Sequence, residues 1–204
     1  MRPVIAYFLT AASLAFAASS AYAADTTLIL QFEQPHSERT LTETRNELGT
    51  VMRSAGFTFD LKLFSELGPT SEFTNLMVIK LKGRCKLDAG PAPKPERTAL
   101  AFTHISDGRV LPFIEVSCDR VRGIIRPIMW GEQFRTADEL MGRALARVIA
   151  HEIYHVMTGT KHSGGGIAHH SLTGTQLIAN DLFFRAEDLE RMVQSNASPE
   201  PPTE

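Results

Sequence analysis

The sequence is poor in cysteine, in tryptophan and in net charge. Its 204 residues contain two cysteines and one tryptophan, and 21 Lys and Arg stand against 23 Asp and Glu, for a formal charge of −2. That balance lacks the basic footprint nucleic-acid binding requires, and it has no acidic run of the kind that keeps a chain unfolded. No C-x-x-C pair is present, which excludes a dithiol redox centre, and neither cysteine has the neighbours a zinc-thiolate site needs. Beyond the first two dozen residues no apolar run is long enough to span a bilayer, and no cysteine is placed there to accept a lipid. With 43% apolar residues the chain suits one well-buried domain and is too short for two full-sized ones. Histidine, by contrast, is concentrated. Of the 7 histidines, His151, His155, His162, His169 and His170 fall within residues 151–170, while His36 and His104 stand alone.

The N-terminus reads as an export signal. Arg2 precedes the apolar stretch Val4 to Leu9, an alanine-rich run follows, and Ala21-Tyr22-Ala23 forms an A-x-A cleavage site. Residues 1–23 are therefore expected to be removed, residues 24–195 to form a single domain, and the Pro-rich residues 196–204 to be a disordered tail. The mature chain is expected to be secreted or periplasmic, with no membrane attachment. In such an oxidising compartment Cys85 and Cys118 are expected to form one disulfide rather than remain buried free thiols.

Along the mature chain, Thr26 to Phe32 has strand composition, and Leu41, Leu48, Val51 and Met52 recur at helical spacing between Ser37 and Ala55. Residues 57–63 alternate with a period of two. Strand, helix, strand in this order favours a parallel pair with a crossover helix. Further strands are predicted at 75–81, near 98–105 and at 110–117, the last two pairing as a hairpin through Asp107-Gly108. The proline-rich stretch Asp88 to Glu96 is expected to be a surface loop. Thr136-Ala137-Asp138-Glu139 has the capping-box pattern and opens a helix over about 137–157, apolar enough to be internal. A last helix is expected from about Thr175 to Gln194. The fold class is therefore α+β: a mixed, mostly parallel twisted sheet with an N-terminal crossover helix, a buried active-site helix and a C-terminal helix.

Near the end of the buried helix lies His151-Glu152-Ile153-Tyr154-His155. Residues four apart sit about 40° apart around a helix and one turn along it, so both imidazoles can reach one Zn2+ at Zn–N distances of about 2.0–2.1 Å. Glu152 is placed to take a proton rather than to ligate the metal. Two imidazoles and a carboxylate on a core helix are costly unless something satisfies them, and a metal does so. A third ligand is expected, and His162 leads. On a continued helix it would lie about 16 Å beyond His151, so the chain must double back. Gly159 is suited to a left-handed C-cap, and Ser163-Gly164-Gly165-Gly166 to sharp turns. Glu187 or Glu190 of the last helix, or His169 or His170, are the alternative third ligands. Tyr154 and His104 read as structural.

His151-Glu152-x-x-His155-x-x-x-Gly159-x-x-His162 resembles the extended zinc motif of the metzincin metallopeptidases, with the longer spacing similar to that of archaemetzincins. The cysteine-rich second metal site of archaemetzincins is missing, and Ala168 of Gly166-Ile167-Ala168 stands where metzincins carry the Met of a turn beneath the metal. The order of strands and helices also resembles the metzincin catalytic domain. The resemblance implies a zinc peptidase acting on peptide or protein substrates, with His151, His155 and His162 on the metal and Glu152 as general base. A non-catalytic envelope protein that keeps the metal site is the other class of function.

Overall fold

The computed structural model describes residues 26–87, 99–159 and 162–197. The predicted signal (1–23), the loop Asp88 to Glu96 and residues 198–204 of the predicted tail lie outside the described residues. The chain runs as β1 (Thr26–Phe32), α1 (Glu38–Ser54), β2 (Asp60–Leu63), β3 (Asn75–Lys82), β4 (Ala101–Ser106), β5 (Arg109–Ser117), α2 (Cys118–Ile125), α3 (Ala137–Thr158), α4 (Gly174–Ile178) and α5 (Ala186–Ala197).

The five strands form one sheet in the order β2-β1-β3-β5-β4. All pairs are parallel except β4 with β5, so β4 is an antiparallel edge. Asp107 and Gly108, both at positive φ (51° and 76°), make the hairpin turn with the backbone hand that suits twisted strands. Alternation sends Leu28 and Leu30 of β1, Ile79 and Leu81 of β3, and Ile114 and Val116 of β5 into one core with Leu41, Leu48, Val51 and Met52 of α1. The inward face of α3, from Met141 and Leu145 to Ile149 and Ile153, fills the rest of that core. α1 and α3 approach closely at Gly142, where an added Cβ would come within 2.5 Å of the Thr40 carbonyl oxygen. The Thr44 hydroxyl donates across this contact to the Gly142 carbonyl, 3.2 Å away. A Cys85–Cys118 disulfide ties the end of the β3 loop to the start of α2.

Three local expectations are corrected. The predicted strand at 57–63 begins only at Asp60, because Phe57 N–H turns back to the Met52 carbonyl at 2.9 Å and closes the end of α1. The Thr136 capping box does not form. A 3₁₀ turn, Gly131–Thr136, runs straight into α3, and the Thr136 hydroxyl donates back to the Gln133 carbonyl at 3.4 Å. The last helix is two helices, α4 and α5, separated by residues 179–185, and α5 continues to Ala197, two residues into the predicted tail.

Candidate metal centre

α3 ends where the sequence supplies its stop. Gly159 is left-handed (φ 68°), and its N–H closes the last turn on the His155 carbonyl at 2.9 Å. The chain beyond folds back so that one nitrogen from each of His151, His155 and His162 lies within 4.8 Å of the others. A turn lies beside this cluster, with Ile167 and Ala168 fully buried. The Ile167 carbonyl accepts a hydrogen bond from His151 Nδ1 at 2.7 Å. A carbonyl can only accept, so Nδ1 carries the proton and Nε2 presents its lone pair.

That lone pair faces His155 Nε2 at 3.1 Å. A tetrahedral zinc with Zn–N bonds of about 2.0–2.1 Å sets its nitrogens about 3.3–3.4 Å apart, so the pair fits such an ion, and His162 completes a three-imidazole donor set. Burial lowers the His151 pKa to about 4, with the neighbouring imidazoles contributing, while the hydrogen bond to Ile167 opposes the shift. Burial, followed by His155 close by, also lowers that of His162. Both shifts favour the neutral form that ligates metal.

Glu152 is buried on α3, facing the edge strand. Its Oε2 accepts from the Thr103 hydroxyl of β4 at 2.7 Å. Burial raises its proton affinity, and the Thr103 hydrogen bond and His155 oppose that rise. Glu152 and the three histidines line a cleft of about 490 Å³, walled on its apolar side by Leu100, Ile124, Val148 and Leu172.

The remaining candidates fall elsewhere. His169 and His170 line the same cleft, and His169 Nδ1 is occupied by Ser171. Glu187 and Glu190 are exposed on α5, and among the described residues neither belongs to the group able to hold an ion. Tyr154 is fully buried, stacked on Phe184, with its hydroxyl accepting from Arg191 at 3.2 Å. His104 faces Glu115 on the outer side of the sheet, 3.5 Å away.

Three features at the site were not anticipated: Thr103, the Ile167 carbonyl, and buried Asp188, which accepts from the Ser163 hydroxyl (3.1 Å) and the Arg185 N–H (3.2 Å) and so ties down the residue after His162. Only the first had a sequence signal, a hydroxyl at an inward position of an alternating strand.

No family model matches the chain, and no curated protein matches it in sequence. In fold it is similar to the crystal structure of archaemetzincin from Methanopyrus kandleri, with a TM-score of 0.53 and 12% identity over 85% of this chain and 97% of that one. At that identity it is a likeness of fold.

Proposed function

We propose that the chain is an exported zinc peptidase in which His151, His155 and His162 hold the metal and Glu152 is the general base. The observation that carries this reading is the convergence of three imidazoles beside a buried carboxylate in an open cleft, on a fold shared with archaemetzincin. Bound zinc supplies Lewis acidity there, bringing a water's pKa towards neutrality and polarising a substrate carbonyl.

The chain's own residues do the rest. Ile167 fixes the His151 tautomer. Glu152, made a better proton acceptor by burial, takes the proton of the attacking water and passes it to the departing amine nitrogen. An extended peptide or protein segment adds to the edge of β4 next to the cleft, which no other described strand pairs. The Cys85–Cys118 disulfide supports an oxidising compartment, and no described helix is long and apolar enough to cross a membrane.

The test is metal analysis with peptide hydrolysis on the protein recovered from medium or periplasm, where its first residue should be Ala24. One zinc per chain is expected, lost in His155→Ala, and a zinc-free wild type overturns the reading. Glu152→Gln should keep the zinc and lose hydrolysis of a mixed peptide library by about 10²–10⁴-fold. Zinc without hydrolysis in the wild type leaves a metal-binding protein and removes the peptidase.

A further inference from the structure

We propose that Thr103 is a positioning residue for Glu152, coupling the edge strand to the proton-transfer group. The proposal rests on the reading of Glu152 as general base. Its starting point is a row of inward-facing residues that crosses the sheet in register: Leu30 beside Ile79, Ile79 beside Ile114, Ile114 beside Thr103. The first three are fully buried aliphatic side chains. At the fourth position, on the edge strand, packing and strand propensity alone favour valine, which has the same shape and no polar atom to desolvate.

The chain has a hydroxyl there instead. Its single proton goes to Glu152 Oε2, 2.7 Å away. The strand pairing is irregular between Thr103 and Ile105, a distortion of the kind that re-aims a side chain beside a site.

The hydroxyl changes what the carboxylate can do. The terminal torsion of a glutamate is soft, so a carboxylate without a fixed partner samples many orientations. With Oε2 held by Thr103, the plane of the carboxyl group is set and Oε1 is the oxygen left for proton transfer. β4 is also the strand along which an extended peptide would pair, so seating of the substrate bears on the same residue that orients the base.

The experiment compares Thr103→Val, Thr103→Ser and Glu152→Gln in the full chain loaded with zinc. Thr103→Val is expected to keep the wild-type zinc content and melting temperature. Its kcat should fall by about 10–100-fold with KM little changed, because the base is displaced and not removed. Thr103→Ser, which restores the donor, should recover kcat to within a few-fold of wild type. A readout independent of turnover is calorimetric binding of a peptidyl hydroxamate, whose N–O–H group donates to the carboxylate: affinity should drop by about tenfold in Thr103→Val and return in Thr103→Ser.

Wild-type kcat and hydroxamate affinity in Thr103→Val, alongside their loss in Glu152→Gln, overturn the positioning role while sparing the base. A Thr103→Val protein that loses zinc or melts early, with no rescue by serine, shows a packing role and also overturns it. Undiminished kcat in Glu152→Gln removes the base itself, and the proposal with it.

Discussion

Helix α3 and the segment that follows it meet at the candidate metal centre and are held there in different ways. His151 and His155 are placed by one helical turn, and that helix is fixed by a continuous apolar face. From His162 to Arg185 the only regular element is the five-residue helix α4, and the buried Ile167, Ala168, Leu177 and Ile178 are joined by polar anchors. Arg147, fully buried on α3, pairs with Glu47 at 2.7 Å and donates to the carbonyls of Gln176 (2.8 Å), Leu177 (3.2 Å) and Asn180 (3.3 Å). Asp188 holds Ser163, and Gly166, left-handed at φ 65°, lies so close to the Phe183 carbonyl oxygen that a Cβ there would come within 2.5 Å of it. Two of the three candidate ligands are thus placed by local sequence spacing. The third depends on buried charges distant from it in the chain.

Arg147→Met tests that contrast most severely. It should leave α3 helical but strand the Glu47 carboxylate and three carbonyls, at a cost of about 3–5 kcal/mol in chemical denaturation, with weaker zinc binding as the segment around His162 loosens. A cost below about 1 kcal/mol would mean the segment is held some other way.

The next effect belongs to α3 itself. Because the folded-state pKa of His151 is lowered from 6.5 to about 4, the unfolded chain binds a proton in that interval that the folded chain does not. Stability of the zinc-free protein is therefore fullest above pH 6.5 and is lost as pH falls towards about 4. The loss attributable to this group reaches about 3 kcal/mol. Urea melts across that interval should show it, and His151→Gln should flatten the profile. An unchanged slope in His151→Gln would assign the acid sensitivity to other groups.

The same division decides what could be read from the chain. β1 and the helix after Ser37 are legible because their signals are local: alternation, helical spacing, and a Ser37 side chain that accepts from Thr40 N–H at 3.2 Å. The HExxH helix, its Gly159 stop and the return to His162 follow from spacing and backbone freedom. The continuous last helix was misleading because its interruption is tertiary. Arg143 and Arg147 of α3 take the carbonyls from Gln176 to Asn180 that a continuing helix would have needed. Phe184 packs on Tyr154, and Asp188 restarts the helix by accepting from Arg185 N–H. Ile167 was invisible for a related reason, since its contribution is a backbone carbonyl and carries no residue signature.

The smallest effect is expected at the boundary between the two regions. Gly159 has φ 68°, and among the described residues a Cβ added there would meet nothing within 4 Å, so the cost of Gly159→Ala is that of the left-handed conformation, about 1–2 kcal/mol. Asparagine tolerates that conformation better than alanine, so Gly159→Asn should cost less than Gly159→Ala in the same denaturation series. If the turn serves only to end α3 and reverse the chain, zinc affinity should follow these modest costs in the same order. A Gly159→Ala protein of nearly full stability but with His162 uncoupled from the metal, seen as zinc affinity equal to that of His162→Ala, would show instead that the turn sets the third ligand directly and that the polar anchors downstream are secondary.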